Sequence, residues 1–78
     1  MLTDAQEIEL RERLEGRRDL YLASHTRYAA LAVCDLSDGN MRKAINTCAA
    51  ATEMLHCAAA LTGAIHTLDA LTAKEGGA

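Results

Sequence analysis

Leu36-Ser37-Asp38-Gly39-Asn40-Met41 is the one strong turn signal in the chain. Gly39 suits the left-handed backbone position after a helix, and Asn40 or Asp38 can cap the helix that follows. On both sides the residues are strong helix formers: 16 Ala and 11 Leu, with one Val and no Pro, Phe or Trp to favour strands or break helices. The reading is all-α: a long antiparallel helical hairpin in a single domain, with one helix over about 3–36, a turn at 37–40, a second helix over about 41–73 and a frayed tail at 74–78.

Upstream of the turn, Thr3-Asp4-Ala5-Gln6 fits a capping box, in which the Thr hydroxyl and the Gln side chain satisfy each other's backbone N–H groups. Nine of the 13 residues from Glu7 to Asp19 are charged, so this stretch reads as a solvated helix face, with Glu7/Arg11 and Glu9/Arg13 in the favourable i,i+4 order. Gly16 is a mild weak point, a place where such a helix can bend or break. A seam of Leu14, Arg18, Tyr21, His25, Tyr28, Ala32 and Leu36 runs along the helix at heptad spacing.

Downstream, Ala44 to Ala73 contains only two charges, Glu53 and Asp69. Those charges and His56 and His66 argue against a membrane span, so the low charge points to a helix covered on more than one side. Two heptad seams fit it. The first is Thr47, Ala50, Met54, Cys57, Leu61, Ala64, Leu68 and Leu71; the second is Met41, Ile45, Cys48, Thr52, Leu55, Ala59, Thr62 and His66. A turn at Asp38-Gly39 pairs residues whose numbers sum to about 77, setting Leu36 beside Met41, Ala32 beside Ile45, Tyr28 beside Cys48 and Ala49, His25 beside Thr52, and Leu14 beside Gly63. The second seam is thereby expected to pack on the first helix. The first is expected to stay bare, which makes Ala50, Met54, Cys57, Leu61, Ala64, Leu68 and Leu71 candidate interface residues of a homo-oligomer. A chain this small buries too little surface to be comfortable alone, so assembly into a dimeric four-helix bundle or a higher helical oligomer is expected.

Chemistry is sparser. Arg17, Arg18, Tyr21, Ser24, His25 and Tyr28 fall within about 120° of helical arc, a grouping able to grip an anionic or nucleotide-like ligand between guanidinium and phenol groups. The competing reading makes the two Tyr and His25 core residues against an Ala-rich helix, with Arg18 reaching outward. Cys34, Cys48 and Cys57 form no metal-type cluster, and an odd count argues against a disulfide framework, so no metal or other cofactor is expected and a reducing, cytoplasmic setting is. No signal-peptide pattern opens the chain. Cys48 can approach His25 across the hairpin, but no third group orients the imidazole and no loop supplies an oxyanion site, so catalysis is not expected. A net charge of −3 disfavours nucleic acid, and the cluster Asn40, Arg42, Lys43 and Asn46 begins an otherwise apolar helix.

Within Arg27–Ile45, 19 of 78 residues, the positions Arg27, Leu31-Ala32, Asp35-Leu36, Gly39, Met41 and Ala44-Ile45 form a pattern that resembles part of the small helical phage anti-defence proteins that sequester cyclic nucleotides in oligomers; the long apolar helix that follows departs from it. The resemblance implies ligand sequestration by an oligomer. The residues themselves lead first to a small non-catalytic interaction protein (adaptor, inhibitor or regulator) that presents its charged Glu7–Asp19 face to a protein partner.

Overall fold

The computed structural model describes residues 2–76. It is a two-helix hairpin, α1 (Asp4–Ser37) followed by α2 (Met41–Gly76), forming a rod of 59 × 17 × 13 Å. Thr3 caps α1 as expected: its hydroxyl accepts from the Gln6 N–H at 3.1 Å, while the Thr3 N–H donates to Gln6 Oε1 at 2.9 Å. Gly16 neither breaks nor ends the helix, which continues for 34 residues. Its cost of about 1 kcal/mol relative to Ala is small against what packing along the seam returns. α2 continues to Gly76, past the expected end at Ala73; the remainder of the expected frayed tail, 77–78, lies outside the described residues.

The turn is built by local chemistry. Gly39 has φ +79, the left-handed region where a side chain is strained, and its N–H donates to the Leu36 carbonyl at 3.0 Å. Asn40 Oδ1 accepts from the Lys43 N–H at 3.3 Å and so caps α2. Asp35 is buried beneath the turn. Lys43 Nζ stands 3.8 Å from its Oδ1, and the Thr47 hydroxyl, 3.2 Å from Oδ2 and 2.9 Å from the Lys43 carbonyl, shares one proton between them. Gly39→Ala is expected to cost about 1–2 kcal/mol through backbone strain alone, since nothing lies within 4 Å of the added Cβ; chemical denaturation measures it, and an unchanged midpoint would refute the strain.

The α1 side of the core follows the expected seam from Leu14 through Ala32, all half-buried or buried, but ends on Asp35 because Leu36 is exposed. The α2 side is rotated relative to expectation. Ala44, Ala51, Ala58, Ile65 and Leu68 are buried, with Thr47, Met54 and Leu61 half-buried between them, a heptad pattern lying between the two anticipated seams. Two expectations are thereby corrected. The Met41, Ile45, Cys48 and Leu55 stripe does not pack on α1 but faces outward, with Met41 and Ile45 each 60% exposed. The other seam is not left bare either: Leu68 is buried in the hairpin, Met54 and Leu61 turn toward α1, and Cys57 is half-buried, while Ala64 and Leu71 are exposed and Ala50 is half-buried.

Steric fit explains the rotation. The α1 seam is bulky, with Arg18, Tyr21, His25 and Tyr28, and needs a smooth opposing surface. Ala44, Ala51 and Ala58, at seven-residue spacing, provide one where Ile45 or Leu55 would hold the helices apart. The register is close to that expected: His25 Nδ1 lies 2.8 Å from the Ala51 carbonyl, one residue from its anticipated partner Thr52.

Candidate functional site

The six grouped side chains divide across the seam. Arg17 and Tyr21 line an open cavity of about 320 Å³ together with Cys57, Ala60 and Leu61 of α2. His25 is occupied: its Nδ1–H donates to the Ala51 carbonyl, which fixes the proton on that nitrogen and ties the ring into the helix contact. Arg18 donates through Nε to Asp19 Oδ1 at 3.1 Å, the outward-reaching arrangement. Ser24 and Tyr28 are half-buried and do not line the cavity. The arc that groups all six on α1 thus straddles the line where α2 packs, and of the six Arg17 and Tyr21 alone share this opening. Cys57 and Leu61, expected at an oligomer interface, complete it with Ala60, a residue whose chemistry gave no signal.

A cavity of this size lies at the lower end of the range for small-molecule sites. One guanidinium and one phenol against an alanine and leucine wall can hold an anion beside a planar apolar group. No group of three or more His, Cys, Asp or Glu suited to a metal ion occurs among the described residues, and the three thiols are free.

At the open end of the hairpin Arg11 donates to Asp69, 58 positions away in sequence, rather than pairing with Glu7; Glu9 and Arg13 do form the expected i,i+4 bridge at 2.7 Å. The hydrogen bond from Arg11, with added Coulombic attraction from Arg11 and His66, holds the Asp69 carboxyl below its ordinary value, and the same bond raises the Arg11 pKa. A carboxyl whose folded pKa is depressed adds stability that is complete above its unfolded value of about 3.9 and is lost as pH falls through the folded one. Melting curves from pH 7 to pH 2 should therefore show a small acid-side loss that Asp69→Asn removes, small because both groups are well solvated. An identical acid limb in the variant would deny the pair any role.

The second feature is a broad uncharged face. A right-handed helix turns the same way about its own direction of travel, so two antiparallel helices facing each other carry the residue after each buried position to one common side of the hairpin. The observed contacts agree: the cavity around Arg17, Tyr21 and Cys57 lies on one flank, and the Arg11–Asp69 pair on the other. On the latter flank, from Leu22 to Leu36 and Met41 to Ala59, no charge occurs at any such position. Leu22, Val33, Leu36, Met41, Ile45 and Leu55 lie here, six of the twelve large apolar side chains that the described residues leave exposed. By length and composition α2 is also apolar enough to cross a membrane within Met41–Ala73, where an 18-residue window has mean hydropathy 1.3 and is 17% buried in the hairpin. No protein-family model, curated protein or solved structure matches the chain, so the likeness to phage anti-defence proteins rests on the residues within Arg27–Ile45 alone.

Proposed function

We propose that this chain is a small non-catalytic helical interaction protein, an adaptor, inhibitor or regulator, that works in the cytoplasm as a homo-oligomer through protein–protein contacts. The observation that carries this reading is the concentration of exposed Leu, Ile, Val and Met on one uncharged flank of a thin rod. Contiguous apolar surface of that kind is costly in water and marks contact with another apolar body. The charged Glu7–Asp19 stretch at the other end of α1 remains solvated, suited to selecting a protein partner by charge. Free thiols suit a reducing compartment.

The Arg17–Tyr21 cavity favours a second reading from a different class, an oligomer that sequesters a small anionic or nucleotide-like ligand. One measurement tests the assembly that both readings share, and a second separates them. Light scattering on the reduced protein should give a mass above the 8.3 kDa of one chain, and a monomer at tens of micromolar would sink both. Melting with cyclic dinucleotides should leave the midpoint unmoved on the first reading. On the second, ligand at about 100 times its Kd adds ~2.7 kcal/mol, and Arg17→Ala abolishes the gain.

A further inference from the structure

We infer that the uncharged flank around Met41, Ile45 and Leu55 is the self-association surface, and that its occupant is a second copy of the chain turned end for end. The inference rests on the self-association proposed above and names the surface and arrangement that carry it. Between Met41 and Ala59 the flank runs about 27 Å along the rod and, across two helices, roughly 20 Å in width. That footprint, about 540 Å², is two thirds of the ~800 Å² of accessible surface that each partner gives to a standard interface.

Charge selects the arrangement. Toward the open end the same flank carries Glu12 and Glu15, neither of which joins an ion pair among the described residues, while the nearby Asp19 and Asp69 are matched by Arg18 and Arg11. A two-fold axis along the rod would set α1 of one copy over α2 of the other and gather Glu12 and Glu15 of both copies at one level of the same end. An axis across the rod, through the middle of the uncharged stretch, instead overlaps only the turn-side halves and carries the two acidic ends away in opposite directions. It sets α2 of one copy antiparallel to α2 of the other, with Cys48, exposed and close to the midpoint of Met41–Ala59, facing its own counterpart. Small side chains at that midpoint, Ala29 and Cys48, let the helices approach closely. Cys57 lies on the opposite flank, beside Arg17.

The arrangement is tested in full-length protein by thiol cross-linking with a short bismaleimide. Chains retaining Cys48 alone (Cys34→Ser, Cys57→Ser) should be trapped as covalent dimers and chains retaining Cys57 alone should not. Light scattering of Ile45→Glu, with helicity checked by circular dichroism, should fall from about twice the 8.3 kDa chain mass to once. Cross-linking needs no disruptive change, so it stands even where Ile45→Glu misfolds. A wild-type oligomer that cross-links through Cys57 instead, or keeps its mass in folded Ile45→Glu, would overturn this flank while leaving self-association intact. A wild-type monomer would overturn both, and flotation of that monomer with phosphatidylcholine vesicles would identify lipid as what covers the flank.

Discussion

Ile65→Ala is expected to destabilise the hairpin by about 2–4 kcal/mol, the range for removing a buried branched side chain and leaving part of its volume empty. Among the described residues, Ile65 and Leu68 are the only large apolar side chains that are buried; the rest of the apolar core there is alanine. A single hairpin has only these two helices around the hole. At about 4–8 °C per kcal/mol for a domain of this size, the melting point should drop by roughly 10–30 °C. Leu20→Ala is the control, because Leu20 is 61% exposed and should change stability by no more than about 0.5 kcal/mol. Equal losses at the two positions would mean that the packing seam has been misplaced.

Enlarging the core should be as damaging as emptying it. Ala58 is 2% exposed and Ala44 1%, so both methyl groups lie in the contact between α2 and α1. Ala58→Leu inserts a branched side chain where no space exists, which costs about 1–3 kcal/mol in a well-packed core. The strain falls near the His25–Ala51 hydrogen bond and should lengthen or break it. The His25 ring resonances in an NMR spectrum report that bond, and denaturant unfolding reports the energy. Ala49→Leu, on the exposed back of α2, should be nearly silent in both. A well-tolerated Ala58→Leu would show that close helix approach is not what selects this face of α2.

These two positions also show where the sequence was readable and where it was not. The cap at Thr3, the turn at Gly39 and the α1 seam are written in side chains that differ sharply from their neighbours, so periodicity and local hydrogen-bond chemistry locate them. α2 offers no such contrast: Ala, Leu and Thr recur on every side of it, and a search for the most apolar stripe favours Met41, Ile45 and Leu55. What places Ala44, Ala51 and Ala58 inside is the bulk of the α1 side chains they must accommodate, a property of the pair of helices that neither carries alone. The candidate site meets a related limit. Arg17 and Tyr21 line one opening while His25 and Arg18 lie across the contact line, and that line is fixed only once α2 has docked.

The single turn at Gly39 has a further consequence for how the rod comes together and apart. The contacts between the helices close progressively longer loops: 12 positions separate Asp35 from Thr47, 26 separate His25 from Ala51, and 58 separate Arg11 from Asp69. Loop closure becomes more costly as the loop lengthens, so the hairpin assembles as a zipper whose first teeth surround Asp35 and whose last are at Asp69. Opening runs in the reverse order. Breathing at the open end releases Glu7 to Asp19, the stretch that the proposed reading presents to a protein partner, while the turn-side half and its apolar flank stay closed. One rod thereby combines a stiff end at the turn with a loose one 58 positions of loop closure away from it.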